Sequence, residues 1–166
     1  MARTSLKGTE VNTRGDLPKK GSAAADFVLV DKDLNNRSLS DYAGRKKLLY
    51  IVPSLDTSTC ATSTKHFNEL ATAAGDNVIL IISADLPFAQ TRFCTAEKLS
   101  NVITLSMMRN RDFGRDYGIE IIDGPLAGIT ARAIIVLDTD NKVLYTELVS
   151  DIADEPDYDK AMAALK

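Results

Sequence analysis

Leu48-Leu49-Tyr50-Ile51-Val52-Pro53-Ser54-Leu55-Asp56-Thr57-Ser58-Thr59-Cys60 joins an unbroken apolar run to the start of a helical pattern. A strand from Lys47 to Val52 with apolar residues on both faces belongs at the centre of a sheet. Pro53 ends that strand and fixes the loop backbone. A helix is predicted from about Thr57 to Ala74, with Phe67, Leu70, Ala71 and Ala74 as its buried stripe. Cys60 falls in its first turn, on the same side. A thiol there is expected to become a reactive thiolate, because helix N-terminal N–H groups and the macrodipole favour negative charge.

Outward from this segment, Val78 to Ile82 reads as a second buried strand. Strand, helix and strand then form a right-handed crossover with parallel strands. Pro87 suits the first turn of a short helix that carries Arg92 and Cys94. Val102 to Leu105 reads as a third strand, Asp112 to Tyr117 as a short helix, and Gly124 to Gly128 as a loop. Ala133 to Leu137 and Val143 to Val149 flank Asp138-Thr139-Asp140-Asn141-Lys142, a hairpin signal that makes the last strands antiparallel. Glu155-Pro156 opens a closing helix to about Leu165. Before the central strand, Phe27 to Val30 reads as a strand, and Asn35-Asn36 turns the chain into Arg37 to Leu39. A hairpin is predicted over Thr4 to Asn12, turning at Lys7-Gly8. A βαβ unit followed by a ββα unit is the order of a thioredoxin-like α/β domain. The expected fold is therefore a central mixed β-sheet flanked by helices, with an N-terminal β-hairpin, as one domain over residues 1–166.

Composition narrows the function. The 166 residues are 45% hydrophobic, enough for a full core, and carry a net charge of −3. That balance argues against nucleic acid as the main partner, since phosphate binding wants a basic face. No segment approaches the ~20 apolar residues of a membrane span, and the N-terminus lacks the apolar stretch of a secretion signal. The expected location is the cytosol, where two cysteines cycle or stay as thiols rather than form a lasting disulfide.

The single histidine, His66, lies six residues after Cys60. At helical spacing it points about 120° away from the cysteine side, so it reads as an exposed helix residue. Cys–His and Ser–His–Asp catalysis both lose their base. Two cysteines and one histidine do not complete the usual closed zinc site unless carboxylates join them, and no glycine-rich phosphate loop is present. Neither metal nor cofactor is expected. There is no Cys-x-x-Cys: Thr57 stands where a disulfide oxidoreductase of this fold carries its first cysteine.

What remains is a cysteine activated without histidine. Thr57 is three residues from Cys60, so Oγ and Sγ share a face. It can donate to a thiolate or a substrate oxygen, or serve as a plain helix cap. The cation candidate is Arg132, which shares a strand face with Ile134 and Val136. A guanidinium on an apolar face is costly unless an anion meets it; the alternative is an exposed edge-strand arginine. Six of the eight residues from Thr57 to Thr64 are Ser or Thr. Together they cost roughly 2–3 kcal/mol relative to alanine, so this turn is expected to unwind after Cys60 reacts.

Pro53-x-x-x-Thr57-x-x-Cys60 matches the Pro-x-x-x-Thr/Ser-x-x-Cys motif of peroxiredoxins. Pro53 to Thr57, Ser83 to Gln90 running on to Arg92-Phe93-Cys94, Gly124 to Gly128 with Ala131-Arg132-Ala133, and Glu155-Pro156-Asp157-Tyr158 resemble the bacterial thiol peroxidase subgroup of that family, over essentially the whole chain. The resemblance implies reduction of hydrogen peroxide and organic hydroperoxides by Cys60 as the peroxidatic cysteine. It implies that Cys94 resolves it within the same subunit, and that Pro53, Thr57 and Arg132 build the peroxide site, with Thr57 and Arg132 binding substrate. It also implies thioredoxin as reductant and a homodimer. Thr59 departs from the subgroup, where many members carry an apolar residue. The competing readings are a thiol–disulfide oxidoreductase of the same fold and a non-enzymatic binding module with two structural thiols.

Overall fold

The structure is a computed structural model that describes residues 1–166. Strand β1 (Arg3–Leu6) and β2 (Thr9–Asn12) form a separate two-stranded sheet. Lys7 and Gly8 between them both have positive φ, 50° and 84°. That is the two-residue turn whose twist matches a hairpin, and glycine adopts it without strain.

The main sheet has seven strands in the order β4-β3-β7-β6-β5-β8-β9. They are β3 (Leu29–Val30), β4 (Asn36–Arg37), β5 (Lys47–Ile51), β6 (Val78–Ser83), β7 (Ile103–Ser106), β8 (Ala133–Leu137) and β9 (Val143–Leu148). β5 pairs in parallel with β6 and β6 with β7, while β8 lies antiparallel to β5 and to β9. The sheet is therefore mixed, and every residue of β5, β6 and β8 is buried. Two apolar layers result from side chains alternating along the strands. One holds Leu49, Ile51, Leu80, Ile82, Leu105 and Ile135 with Phe113 and Tyr117. The other holds Leu48, Tyr50, Ile79, Ile81, Ile134 and Val136 with Cys60, Phe67, Ala161 and Leu165. At about 1.5–3 kcal/mol for each large side chain removed from water, these layers dominate the folding energy.

Four helices, α1 (Ser58–Leu70), α2 (Pro87–Glu97), α3 (Phe113–Asp116) and α4 (Tyr158–Leu165), complete the fold. Several boundaries differ from the sequence expectation. α1 stops at Leu70 and tightens into a 3₁₀ turn over Ala71–Ala73, ahead of Gly75 at φ +63°. The strand expected from Phe27 begins at Leu29, because the Phe27 N–H is taken by the Asp26 carboxylate at 2.8 Å. Beyond β4, Leu39–Tyr42 is a 3₁₀ turn, started by a reciprocal Ser38–Asp41 cap. The closing helix starts at Tyr158, since the Asp157 carboxylate caps it from Lys160 N–H at 3.0 Å.

Candidate active site

β5 delivers Pro53 to the carboxyl edge of the sheet, where the chain turns through Ser54–Asp56 into α1. Pro53 is buried and Thr57 is exposed. Thr57 caps α1, its Oγ1 accepting from the Cys60 N–H at 3.4 Å and donating to the Ser54 carbonyl at 3.1 Å. Its hydroxyl proton is thus directed at the turn and not at the Cys60 sulfur. Cys60 itself is fully buried, in the apolar layer with Leu55 and Phe67.

Arg132 immediately precedes β8, on the face of Ile134 and Val136. It is 1% exposed, one of the largest fully buried side chains in the molecule. The alternative of an exposed edge-strand arginine does not hold. Its Nη1 donates to Cys60 Sγ at 3.1 Å and to Tyr50 Oη at 2.8 Å. Its Nε donates to the Ile152 carbonyl at 3.0 Å. Burial weakens its charge, but Tyr50 and Cys60 facing it hold its pKa above the ordinary arginine value. The guanidinium therefore stays a cation within hydrogen-bond reach of the sulfur.

Tyr50 lies between Arg132 and α1. Its Oη is 2.6 Å from Ser63 Oγ, which donates to the Thr59 carbonyl at 2.7 Å. With Ser63 donating onward, the phenol is the donor between them, and the chain runs Arg132 to Tyr50 to Ser63 to Thr59. Burial pushes the Tyr50 phenol up to about 12, against the opposing pull of Arg132. It stays protonated at neutral pH and serves as a fixed bridge.

The N-terminal hairpin supports the same site from outside. Asp151 accepts from Lys7 N–H at 3.1 Å, Gly8 N–H at 2.8 Å and Ser5 Oγ at 2.8 Å. Backbone donors, Ala153 and Gly8 foremost, hold its carboxyl down at about 2. The Ile152 N–H donates to the Ser5 carbonyl at 2.7 Å. Hairpin and segment 149–154 are thereby locked together, and that segment supplies both the Ile152 carbonyl for Arg132 and the Ala153 carbonyl that Thr59 Oγ1 donates to at 2.8 Å. The unusual Thr59 is an anchor for the first turn.

Cys94 is a free thiol on α2, half-buried, and Cys60 is free as well. The two lie in different surroundings. Cys94 lines a cavity of about 820 Å³ with Asp31, Lys32, Tyr42, Lys98 and Thr104, whereas its neighbour Phe93 packs into the layer that holds Cys60. Burial pushes the Cys94 thiol up, with Lys32 acting the other way. His66 is exposed on α1 and stacks on the Tyr158 ring at 3.9 Å. No three His, Cys, Asp or Glu side chains come together in a way that would hold a metal ion.

A model of the redoxin family matches residues 19–162. The thiol peroxidase of Mycobacterium bovis is 51% identical over 165 residues, 99% of each chain. This chain belongs to the redoxin family, among the thiol peroxidases. Its redoxin fold superposes on a peroxiredoxin-like protein from Aquifex aeolicus with a TM-score of 0.91, at 38% identity over 99% of this chain and 96% of that one. The thiol peroxidase from Chromobacterium violaceum gives 0.90 at 27% identity, over 98% and 94%.

Of the five residues singled out in the sequence, the fold sets Arg132 against the Cys60 sulfur and Thr57 against the Cys60 N–H, with Pro53 in the turn before them. Cys94 stands on the neighbouring helix. Tyr50, Ser63 and the Ile152 carbonyl were missed. A phenol in an otherwise aliphatic buried strand was the available signal for Tyr50, since a buried tyrosine hydroxyl needs a partner. A backbone carbonyl leaves no such trace.

Proposed function

We propose that this thiol peroxidase reduces hydrogen peroxide and organic hydroperoxides through Cys60, with Cys94 as its resolving partner. The observation that carries this is the buried Arg132 guanidinium, 3.1 Å from Cys60 Sγ. The Cys60 thiolate attacks one peroxide oxygen, the O–O bond breaks, and alkoxide or hydroxide leaves and takes up a proton. Arg132, with the first-turn N–H groups and Thr57 Oγ once it turns from Ser54, stabilises the charge on the departing oxygen. Cys60 becomes a sulfenic acid. The Cys94 thiolate attacks that sulfur, the S–O bond breaks, hydroxide leaves and takes up a proton as water, and a Cys60–Cys94 disulfide forms. A dithiol of the thioredoxin type then reduces it by exchange.

A thioredoxin reductant and a cytosolic location suit a chain whose two cysteines are both free thiols. No helix is long and apolar enough to cross a membrane. A homodimer is supported by the exposed apolar side chains Leu86, Phe88 and Ile122, which a second copy would cover.

The test counts hydroperoxide equivalents consumed by the reduced protein. Wild type consumes one equivalent and ends with an intramolecular disulfide. Cys94→Ser also consumes one but stalls in thioredoxin-coupled turnover. Retained activity in Cys60→Ser would overturn the mechanism.

A further inference from the structure

The connection from β6 to α2 carries a half-buried carboxylate, Asp85, that the reaction does not use. Its Oδ1 accepts from Ser54 Oγ at 2.7 Å. Its Oδ2 accepts from the Leu55 N–H and from Ser83 Oγ, each at 2.8 Å. Ser54 and Leu55 belong to the turn that leads into Cys60. In the other direction, Ser83 Oγ accepts from Gln90 Nε2 at 3.0 Å, and the same nitrogen donates to the Leu105 carbonyl at 2.9 Å. Gln90 is the only polar side chain that α2 buries, one turn before Cys94. A continuous polar chain therefore runs from the helix of one cysteine to the turn of the other.

Gln90 Oε1 is buried with no partner. The contact of Nε2 with the Leu105 carbonyl fixes the amide in this orientation, because the flipped amide would set oxygen against oxygen. An unpaired acceptor counts against the docked helix and regains its hydrogen bonds when the helix leaves. The same side chain thus holds α2 down through its nitrogen and favours its release through its oxygen.

We propose that Asp85 and Gln90 are positioning residues that form a latch between the Cys60 turn and the Cys94 helix. While the turn is closed, Ser54 and Leu55 hold the Asp85 carboxylate, which holds Ser83 in place for Gln90. When the turn opens after Cys60 has reacted, that arrangement is lost and α2 comes free with Cys94. The consequence for catalysis rests on the Cys60–Cys94 reaction proposed above; the latch itself does not.

The experiment is hydrogen exchange on the reduced full-length protein, read separately at residues 53–57 and 87–97, for wild type, Asp85→Asn, Gln90→Met and the double variant. Each single change is expected to raise exchange at both segments about tenfold, as loss of a charge-assisted or buried hydrogen bond does. The double variant is expected to exchange no faster than the faster single variant, because residues acting through one network are not additive. Faster exchange confined to the altered segment, or additive effects, overturns the latch. Quenched-flow trapping supplies a second readout. Asp85→Asn slows sulfenic acid formation at Cys60 and speeds the disulfide step that follows; a slowing of both steps marks general loss of structure and overturns the proposal. Should Asp85→Asn not fold, Ser54→Ala removes one contact and carries the same two readouts at about threefold. Wild-type protein that forms no Cys60–Cys94 disulfide refutes the reaction, while exchange in the peroxide-free protein still decides the latch.

Discussion

Helix α1 buries Cys60, Ser63, Thr64, Phe67 and Asn68, whereas α2, nearly as long, buries only Pro87 and Gln90. α1 has a side-chain cap in Thr57, and α2 starts at Leu86 with none. α2 ends on Lys98 at φ 57°, a left-handed conformation that lysine adopts at a cost. Each helix has one unpaired buried oxygen, Thr64 Oγ1 and Gln90 Oε1. α1 offsets its own with the buried Phe67; α2 has the half-buried Phe93. Cys60, which the proposed reaction sets against a peroxide, sits on the firmly held helix, and Cys94, its proposed resolving partner, sits on the loosely held one. The Ser/Thr content of residues 57–64 pointed to α1 as the segment that unwinds. In the structure, with Cys60 a free thiol, Thr59 of that run anchors the turn to the Ala153 carbonyl, while Ser63 bonds back to the Thr59 carbonyl within the helix. α2 is the helix with less to lose.

The strongest way to break this comparison is a pair of phenylalanine truncations followed by urea unfolding. Phe67→Ala on α1 is expected to cost about 3–5 kcal/mol, the range for a buried aromatic. Phe88→Ala on α2, where the ring is 64% exposed within one copy, is expected to stay within about 0.5 kcal/mol at protein concentrations too low for a dimer to form. Similar losses would mean that the two helices are held alike.

Tyr50→Phe removes the bridge from Arg132 to Ser63 without changing the shape of the core. It leaves Arg132 Nη1 with Cys60 as its one remaining acceptor, and an expected loss of about 1–3 kcal/mol in stability. The rate of Cys60 with hydroperoxide should fall about tenfold while the disulfide step is unchanged. An equal slowing of both steps would show that Tyr50 supports α2 as much as α1.

Lys98→Gly relieves the left-handed residue at the end of α2, a gain of about 1 kcal/mol. Helix α2 should then open less often and disulfide formation should slow, with sulfenic acid formation unaltered. Faster disulfide formation would place the opening somewhere other than α2.

The smallest expected effect is a pH dependence. Burial raises the Cys94 thiol in the docked helix. Docking thus favours the neutral thiol: its contribution is complete below the free thiol value of about 8.5 and fades as pH rises through the raised one. Exchange at residues 87–97, corrected for intrinsic rate, should increase above about pH 8.5. Cys94→Ser should abolish that increase.

Where neighbouring residues set the structure, the sequence was readable. Lys47 to Val52 and Val78 to Ile82 showed themselves as buried strands because both faces are apolar. Lys7-Gly8 announced its hairpin because so few residues tolerate that turn. Three of the misplaced boundaries share a cause: Asp26, Asp41 and Asp157 capture backbone N–H groups and stop or start an element where hydrophobic periodicity gives no sign, whereas α1 ends by tightening into a 3₁₀ turn ahead of Gly75. At the site, Cys60 and Thr57 were legible from three-residue spacing on one helix. Asp85 and Gln90 stood inside a motif that marked the family and said nothing of what they touch.

The sequence alone determined the strand–turn–helix that puts Cys60 at a helix N-terminus, the lack of a histidine to activate it, and the face of the strand that Arg132 shares. Local periodicity and residue chemistry suffice for those. Only the tertiary structure decided that Arg132 is buried against Cys60, 72 residues away in the chain. The antiparallel pairing of β5 with β8 sets Arg132 beside the end of β5, and the N-terminal hairpin, through the Ser5 carbonyl, holds the segment whose Ile152 carbonyl orients it. Burial decided which helix is firm, because anchoring depends on what lies across from each side chain, and helix propensity carries no information about that.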